Sequence, residues 1–350
     1  MCIRDRHNPY KGLRAFEEAD AADFYGREAL VRRLREAMAR RTGSRLVVLA
    51  GPSGSGKSSV VKAGLIPVLR GDGWSIATTF PGDEPLEALE SAVDALEAQA
   101  RSLLIVDQLE ELITLASESA QQEFLDRIAE LATTNDHPWV VTTVRADFLD
   151  RLLIHPRFAR LVEPALVLVT PLEDHEVRDV IAAPASRVGA TVEPDLVAAM
   201  VRDVAQRAAA LPLLEYALTD LYDRAGGGPL TLHALEAADG ISGALVKRAE
   251  ELYTGLDEAG RTTARQLFLR LVTLTDEGEA LRRRVATASL AGLPNVEEVL
   301  DVFGRHRLVT FDRNRGGEPT VEVAHEALLS EWPRVAQWID EARASIQMLR

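Results

Sequence analysis

Residues 51–59, GPSGSGKSS, follow directly on the apolar run RLVVLA at residues 45–50. The stretch satisfies the pattern G-x-x-x-x-G-K-[ST], in which a glycine-rich loop joins a strand to a helix. Glycines let backbone N–H groups wrap around phosphate oxygens, and the start of the following helix adds partial positive charge. The pattern therefore predicts a strand, a phosphate-binding loop and a helix in this order.

The residue types in the loop match the groups of a nucleotide and its metal ion. Lys57 is expected to neutralise the β and γ oxygens, and Ser58 to coordinate Mg²⁺. We therefore expect ATP or ADP with Mg²⁺ here, although ATP and GTP are not distinguished. The alternative is a glycine turn without a ligand. The expected nucleotide-binding residues of the loop are Gly51, Pro52, Ser53, Gly54, Ser55, Gly56, Lys57, Ser58 and Ser59.

A second candidate segment is SLLIVDQLEEL, residues 102–112. Its apolar run ends in Asp107, which would lie at the carboxyl end of a strand and could hold the magnesium ion. Glu110 and Glu111 follow within reach of an attacking water. By itself an apolar run ending in Asp is more often a solvated carboxylate, so the prediction depends on the phosphate-binding loop.

A third strand-like segment, WVVTTVRADFL at residues 139–149, ends its apolar run in Arg145. The carboxyl ends of parallel strands share one edge of a sheet, so the guanidinium would lie on the same edge as the phosphates. This position favours a γ-phosphate sensor. The alternative is an ordinary ion pair with Asp147 or a neighbouring acidic residue.

Short β-rich runs alternate with helical patterns up to about residue 170, after a first helical pattern over residues 27–41. The five runs RLVVLA, WSIATT, SLLIVD, WVVTTV and ALVLVT are separated by helical stretches that include SSVVKAGLIPVL, PLEALESAVDALEAQ and AQQEFLDRIAELA. This alternation predicts an α/β fold with a parallel sheet.

The remaining sequence predicts two further domains. Residues 171–275 read as successive helices, and after Glu279 the pattern is helix, helix, two short strands around the turn RNRGGEP, and two helices, which is typical of a winged helix. The expected domains are a P-loop NTPase domain at 8–170, a helical domain at 171–275 and a winged helix at 276–347. Residues 1–7 are expected to be non-native or disordered, and the last helix lacks a C-cap signal, so the natural chain is expected to continue.

Composition restricts the class of protein. The chain has 350 residues, 47% of them hydrophobic, and a net charge of −14, which opposes general binding to nucleic-acid phosphates. A single cysteine, Cys2, excludes internal disulfides and thiolate metal sites. We find neither a run of roughly 18 apolar residues nor a signal-peptide pattern, and so expect no membrane contact and a cytoplasmic location.

Six segments in order resemble the STAND class of P-loop ATPases, most closely the bacterial novel STAND NTPases. They are NPYKGLRAFEEADAADFYGRE, GPSGSGKSSVVKAGLIPVL, VDQLEEL, TTVRADFL, LPLLEYAL and VEVAHEALLSEWPRVAQWI, and the similarity covers about residues 8–345. The resemblance implies a P-loop NTPase sheet of the ASCE/STAND type, followed by helical and winged-helix domains.

The resemblance also assigns residues near the nucleotide in the first domain. FYGRE looks like the F-x-G-R-E element that lies against the nucleotide in STAND and origin-recognition ATPases, so Tyr25, Gly26 and Arg27 become candidate neighbours of the base or ribose. A plain helix N-terminus is the alternative. DQLEE is similar to the D-G-h-D-E form of NACHT-type relatives, which makes Asp107 the metal carboxylate. In this chain Gln108 replaces a small residue, so the water-activating acid stays open between the two glutamates.

Two later segments resemble elements that contact the nucleotide in the closed state. LPLLEYAL is similar to the G-L-P-L-A-L element, which assigns Pro212, although Ala210 stands where glycine is usual. AHEALL resembles the M-H-D-L-L element, whose histidine contacts the ADP β-phosphate, which makes His325 a candidate latch. Without the resemblance, a core or capping histidine is the simpler interpretation. Trp332 and Trp338 are interpreted as core of the winged helix.

The function implied by the resemblance is a signalling switch that hydrolyses ATP slowly. ADP would hold three domains closed, and exchange for ATP would open them and expose surfaces for self-association. Effector domains before this module and repeats, often WD-type, after it are implied for the full-length chain.

Other functional classes stay open. An AAA+ or origin-recognition-like remodelling or loading ATPase shares the loop and the metal strand. A winged-helix DNA-binding regulator is the second alternative, opposed by 10 Lys and Arg against 13 Asp and Glu over residues 276–350, with the RRR run at 282–284 as a local exception. A small-molecule kinase is disfavoured because the long C-terminal extension has no role in closing over a phosphoryl acceptor.

Overall fold

The computed structural model describes most of the chain as two compact units. The described residues are 8–40, 43–82, 84–97, 101–134, 138–205, 210–274, 280–313 and 318–348. The sheet unit is Ala15–Val180, and the helical unit combines the described residues up to Arg14 with those from Ile181 onward. The expectation for residues 1–7 and the centre of the predicted RNRGGEP turn lie outside the described residues.

The sheet unit contains a five-stranded parallel sheet, which confirms the α/β prediction. Its strands are β1 (Leu46–Gly51), β2 (Ser75–Thr79), β3 (Ser102–Val106), β4 (Trp139–Arg145) and β5 (Leu166–Leu168), in the spatial order β2-β3-β4-β1-β5. Gly51 pairs with Arg145, and Val106 pairs with Thr142. Because β4 lies between β1 and β3, its carboxyl end lies between the strand end that leads to the phosphate-binding loop and the one that leads to Asp107.

The central strands are apolar along their length because helices cover both faces of a parallel sheet. Every residue of β1 is buried. Val47 and Leu49 pack in one core cluster with Leu34 of the first helix and Leu65 of the helix after the loop. Alternation along the strand directs Leu46 and Val48 to the opposite face.

The helices of the sheet unit surround these two faces. They are α1 (Glu28–Ala39), α2 (Lys57–Ser59), α3 (Ile66–Gly71), α4 (Pro85–Asp94), α5 (Glu110–Leu115), α6 (Glu118–Thr133), α7 (Leu149–Leu153) and α8 (Pro156–Ala165). Short 3₁₀ turns lie at Glu18–Asp23 and Ala146–Phe148.

A π-helical segment, Val60–Leu65, joins α2 to α3. Its wide turn is closed by a hydrogen bond from the Ile66 N–H to the Val61 carbonyl, five residues back. Pro67 follows at the start of α3, where it lacks an N–H and its ring would clash with the carbonyl four residues earlier. The wider turn accommodates this proline and adds one residue to the turn.

The helical unit is mainly α-helical with two small antiparallel sheets. Its helices are α9 (Asp174–Arg187, which begins in the sheet unit), α10 (Pro194–Ala205), α11 (Leu211–Ala225), α12 (Leu232–Ala237), α13 (Gly240–Gly255), α14 (Glu258–Arg270), α15 (Val296–Arg305), α16 (Ala327–Glu331) and α17 (Pro333–Met348). Its strands are β6 (Val272–Leu274), β7 (Ala280–Arg282), β8 (Val285–Ala286), β9 (Val309–Arg313) and β10 (Pro319–Val323), ordered β6-β7 and β8-β10-β9.

Two secondary-structure predictions are wrong in this region. The helix predicted up to residue 275 ends at Arg270, and β6 follows it. The first helix predicted after Glu279 is instead β7, β8 and the 3₁₀ turn Thr287–Leu290. These strands are only two or three residues long, and pairing with sequence-distant partners outweighs the local helical spacing.

An aromatic cluster spans the predicted border between the helical and winged-helix domains. The Trp332 ring lies 5.4 Å from the ring of Phe268 and 5.9 Å from that of Trp338. The indole N–H of Trp332 donates to Glu250 Oε2 at 3.0 Å, which satisfies its polar atom in the core. The predicted domain borders remain predictions, but this core is shared across residue 275.

The N-terminal NPYKG segment packs within the helical unit rather than the sheet unit. Tyr10 is fully buried, and its hydroxyl donates to the Ile181 carbonyl at 2.5 Å. The Asn8 side chain donates to Asp223 on α11 at 2.8 Å. The prediction placed these residues with the nucleotide-binding domain that follows them in the chain. Their hydrogen bonds to residues distant in sequence leave no local pattern that could have shown otherwise.

Within the part of the chain that the structure describes, every helix is too short or too polar to cross a membrane.

Candidate functional site

The phosphate-binding loop begins at the end of β1 and depends on three glycines. Gly54 and Gly56 have φ values of 71° and 86°, which side chains other than glycine rarely adopt. A Cβ on Gly51 would lie 2.8 Å from Cβ of Val169 and 2.9 Å from Oγ of Ser55. The loop backbone therefore turns tightly against the sheet, in a conformation that depends on glycine at these positions.

Lys57 and Ser58 follow at the start of the helical run. Lys57 is 8% exposed, and its Nζ donates to the carbonyls of Gly51 at 3.0 Å and Pro52 at 2.8 Å. The Ser58 hydroxyl donates to Asp107 Oδ1 at 2.8 Å. The two residues expected to hold magnesium, which are distant in sequence, are therefore in direct contact.

Asp107 is held by its neighbours through one oxygen. Its Oδ1 accepts from the Thr143 hydroxyl at 2.5 Å and from the Gln108 N–H at 3.2 Å, besides Ser58. Its Oδ2 is buried and has no hydrogen-bond partner among the described residues. A carboxylate oxygen held in this way beside a serine hydroxyl fits the hard-oxygen donor set that Mg²⁺ prefers. Ser58 and Asp107 would hold the ion, which would supply positive charge to the phosphate groups when bound.

Gln108 explains how the chain departs from the D-G-h-D-E pattern. Its φ is 55°, in the left-handed region that favours glycine. Its N–H donates to the Thr143 hydroxyl at 2.9 Å, which fixes the turn that follows β3. The strand end therefore keeps the backbone conformation of a small residue although a glutamine occupies the position.

The turn after β3 directs Glu110 toward the end of β4. Glu110 is the first residue of α5, is half-buried, and its Oε2 accepts from the Arg145 N–H at 3.1 Å. Burial raises the pKa of Glu110, and the positive charge of Lys57 opposes the rise. Glu111 is also half-buried and its N–H donates to the Gln108 carbonyl at 2.9 Å. The geometry thus joins Glu110 to the end of β4.

Arg145 makes the ion pair considered as its alternative role. Its Nε and Nη2 donate to the two carboxylate oxygens of Asp147 at 3.1 and 2.6 Å. Burial would raise the pKa of Asp147, but the hydrogen bonds and charge of Arg145 outweigh it and lower that pKa. The guanidinium also lies 5.4 Å from the Phe148 ring. Its role as a sensor remains a prediction that requires release from Asp147.

Arg27 contacts the loop backbone. The side chain is buried, and it donates to the Ser55 carbonyl at 3.0 Å and the Thr170 carbonyl at 2.9 Å. Burial lowers the pKa of Arg27, and the charge of Glu176 opposes the change. The guanidinium therefore ties the phosphate-binding loop to the segment after β5. Tyr25 lies two residues before it and is half-buried.

Gly26 allows this arrangement because the chain passes very close to α9. Its φ is 79°, and an added Cβ would lie 2.6 Å from the Glu176 carbonyl and 2.7 Å from the side chain of Val180. We expect Gly26→Ala to lower the free energy of unfolding by about 2 to 3 kcal/mol, from left-handed strain and a clash with backbone. Chemical denaturation measures this loss.

A matched control for Gly26→Ala is Gly73→Ala. Gly73 has a φ of 80°, yet nothing lies within 4 Å of its added Cβ. This variant should lose only the strain, about 1 kcal/mol. Equal losses in the two variants would contradict the close approach to α9.

The other two candidate residues lie in the helical unit. Pro212 is buried in the first turn of α11, and the preceding Ala210 has φ −71°, a conformation open to any residue, so alanine is unstrained there. His325 Nδ1 accepts from the Ala327 N–H at 3.0 Å. This capping bond leaves the ring proton on Nε2, which is then a donor. Both roles toward the nucleotide remain predictions.

Sequence reasoning missed two residues that complete the surroundings of Asp107. Thr143 lies in the TTVR segment, and its hydroxyl donates to Asp107 because of the register between β3 and β4. No sequence pattern indicates that register. Lys62 Nζ lies 3.8 Å from Asp107 Oδ2. The rarity of lysine, which occurs only at positions 11, 57, 62 and 247, was the available signal for Lys62.

A family model matches nearly the whole chain. The model of the family Novel STAND NTPase 1 matches residues 9–350. No curated protein matches the chain.

Solved structures give only weak likenesses. The Orc1 protein of Aeropyrum pernix, solved in complex with DNA, is 17% identical, with a TM-score of 0.48 over 93% of this chain and 94% of that one. A Walker-type ATPase of Pyrococcus abyssi is 14% identical, with a TM-score of 0.43 over 91% and 97%. The RuvB Holliday junction branch migration motor of Thermotoga maritima is 15% identical, with a TM-score of 0.40 over 91% and 97%.

These likenesses are too weak to carry function across. The family match instead extends from the NPYKG segment through the loop to the last helix, and it agrees with the phosphate-binding loop, the Ser58–Asp107 contact and the five-stranded parallel sheet. The chain therefore belongs to the Novel STAND NTPase 1 family of P-loop NTPases.

Proposed function

We propose that the protein is an ATP-binding switch that hydrolyses ATP slowly and changes its domain arrangement and self-association with the bound nucleotide. The observation that carries the nucleotide site is the convergence of three strand ends. β1 leads to Lys57 and Ser58, β3 to Asp107 and Glu110, and β4 to Arg145. Contacts of 2.8 Å between Ser58 and Asp107 and 3.1 Å between Arg145 N and Glu110 link these ends.

Slow turnover is supported by the surroundings of Arg145. A guanidinium that stabilises the transferring phosphoryl group supplies a large part of the rate in P-loop NTPases. Here both carboxylate oxygens of Asp147 engage it, and only 11% of its side chain is exposed. Moving it to a γ-phosphate breaks this pair, so each turnover carries an added cost. Such a site favours a long-lived bound state.

A switch requires that the nucleotide bind one state more tightly than the other. We propose that Pro212 and His325 of the helical unit supply this difference by contacting ADP in the closed state. The bond from the Ala327 N–H to Nδ1 supports the proposal for His325, because it assigns the ring proton to Nε2 and makes that nitrogen the donor of the ring. Exchange for ATP would release these contacts.

The C-terminal part of the helical unit is proposed to be a winged helix that serves as an internal module. The β8-β10-β9 sheet with α15, α16 and α17 supports this interpretation. Within the basic run, Arg284 pairs with Glu322 at 3.2 Å, and Arg282 lies 3.8 Å from Glu326. These acidic partners neutralise a surface that DNA phosphates would need, and they disfavour a DNA-binding regulator.

The proposal predicts that the molar mass of the protein in solution depends on the bound nucleotide. Light scattering after size-exclusion chromatography should give a monomer with ADP and a larger species with a slowly hydrolysed ATP analogue. Turnover should stay below about one per second. A single mass in both nucleotides would contradict the switch, and fast turnover stimulated by DNA or protein would favour a remodelling ATPase.

His325→Ala tests the proposed contact between this histidine and ADP. We expect a fall of about fivefold to tenfold in ADP affinity without a matching fall for the ATP analogue, because one hydrogen bond to a charged group is lost in the closed state only. His233→Ala is the control, since that histidine lies exposed on α12. Unchanged ADP affinity in the His325 variant would remove the latch from the proposal.

A further inference from the structure

Lys62 lies in the π-helical segment and has two acidic partners. Its Nζ donates to Glu17 Oε1 at 2.9 Å and lies 3.8 Å from Asp107 Oδ2. The ammonium also lies 5.4 Å from the centre of the Phe80 ring. The side chain is 16% exposed and that of Asp107 is 1% exposed, whereas Glu17 is 58% exposed. Lys62 thus bridges a buried carboxylate and a solvated one.

The two oxygens of Asp107 have different surroundings. Oδ1 accepts from Ser58, Thr143 and the Gln108 N–H, while Oδ2 has no hydrogen-bond partner among the described residues. Burying a carboxylate without compensation is costly, and a nearby positive charge offsets that cost. Lys62 is the cation that the structure places at Oδ2.

The helical spacing explains how Lys62 reaches this oxygen. Lys62 lies four residues after Ser58, and side chains four apart lie on the same face of a helix. The Ser58 hydroxyl donates to Asp107 Oδ1, and Lys62 Nζ lies 3.8 Å from Oδ2. The wide turn marked by the bond from the Ile66 N–H to the Val61 carbonyl lies mostly after Lys62. The face that carries Ser58 therefore also brings a second lysine to the metal carboxylate.

We propose that Lys62 sets the magnesium affinity of the nucleotide site by competing with the metal for Asp107. The inference deepens the proposed function, since it concerns the same nucleotide site. With Lys62 close to Oδ2, the carboxylate is already neutralised, so nucleotide binds with little help from the metal. Magnesium binding then requires the ammonium to withdraw toward Glu17, which lowers the affinity for the ion.

The test measures binding of a fluorescent ADP, N-methylanthraniloyl-ADP, by anisotropy from excess EDTA to millimolar free Mg²⁺. Lys62→Met keeps an apolar chain against Phe80 and removes the charge. We expect its half-saturating Mg²⁺ concentration to fall by about tenfold, because a neighbouring charge of the same sign as the metal is removed from a partly screened site. Lys62→Arg keeps the charge and should stay within about twofold.

Glu17→Gln gives an effect in the opposite direction. Without the Glu17 carboxylate, the Lys62 ammonium stays closer to Asp107 and competes more strongly with the metal. The half-saturating Mg²⁺ concentration should therefore rise by about twofold to threefold. In the Lys62→Met background the same change should have no effect, because the pair is already broken. This variant lies at an exposed position and does not depend on Lys62→Met folding well.

Thermal melting gives a second readout without nucleotide. Lys62→Met should melt at a lower temperature than the wild type in EDTA, and Mg²⁺ should recover part of the loss. Unchanged or weaker magnesium dependence in Lys62→Met, together with no effect of Glu17→Gln, would overturn the inference. If the wild type failed to bind the ADP probe at any Mg²⁺ concentration, the nucleotide site itself would fail instead.

Discussion

Lys57→Ala should lose at least about a hundredfold in nucleotide affinity, because it removes the ammonium that is expected to neutralise the phosphate oxygens. Lys57 is 8% exposed, and its ammonium bonds to the carbonyls of Gly51 and Pro52, so the charge is largely desolvated and fixed at the loop. A charge in this environment contributes more to phosphate binding than a solvated lysine does. Titration calorimetry with ADP and with an ATP analogue measures the change.

A surface lysine provides the control for this variant. Lys247 also bonds to a carbonyl, that of Ala237 at 2.8 Å, but its side chain is 40% exposed and pairs with Asp239. Lys247→Ala should bind nucleotide with unchanged affinity. Because alanine at 57 also removes two bonds to the loop, a circular dichroism melt should accompany the titration. Micromolar affinity retained in a folded Lys57→Ala protein would remove this loop as the nucleotide site.

The loop and the sheet were predictable because both leave a local pattern. The loop GPSGSGKSS needs glycine where φ is positive and a lysine directly after the last glycine, and both residue types can be read from the sequence. The buried strands read as short apolar runs, since a parallel sheet is covered on both faces. Asp107 and Arg145 follow such runs directly, so their sheet edge could be predicted before their partners were known.

The partners themselves depend on distant contacts. The bond from Thr143 to Asp107 requires β4 to lie beside β3, and the bonds of Arg27 to Ser55 and Thr170 require the first helix to pack at the end of the sheet. Neither arrangement leaves a periodic pattern of residue types in the sequence. The resemblance of FYGRE made Arg27 a candidate neighbour of the base or ribose, whereas the structure shows its guanidinium bonded to the loop backbone at Ser55.

The prediction of secondary structure was wrong at the short strands of the helical unit for a related reason. β6 and β7 have three residues each, and each is stable through its pairing with the other. Arg282, in β7, belongs to a basic run whose spacing alone favours a helix. Periodicity needs longer segments to distinguish helix from strand. Predictions of secondary structure therefore weaken where tertiary pairing, rather than length, determines the element.

The sequence left two adjacent glutamates open as the water-activating acid, and the contact of Glu110 with the end of β4 favours Glu110. Glu110 accepts from the Arg145 N–H at 3.1 Å, and burial raises its pKa while Lys57 opposes the rise. A carboxylate with a raised pKa is a better acceptor of a proton from water near neutral pH. Its bond to the end of β4 holds it on the edge of the sheet where the phosphates are expected. We therefore propose Glu110 as the general base.

Glu110→Gln should slow ATP hydrolysis by about a hundredfold or more while nucleotide affinity stays within about threefold. The amide oxygen can still accept from the Arg145 N–H, so the variant removes the negative charge and keeps the bond that positions the side chain. Glu111→Gln is the adjacent control and should lose less than about threefold in rate. Single-turnover hydrolysis measures both, since it excludes product release. A larger loss in the Glu111 variant would reverse the assignment, because it would place the reacting water on the other side of the first turn of α5.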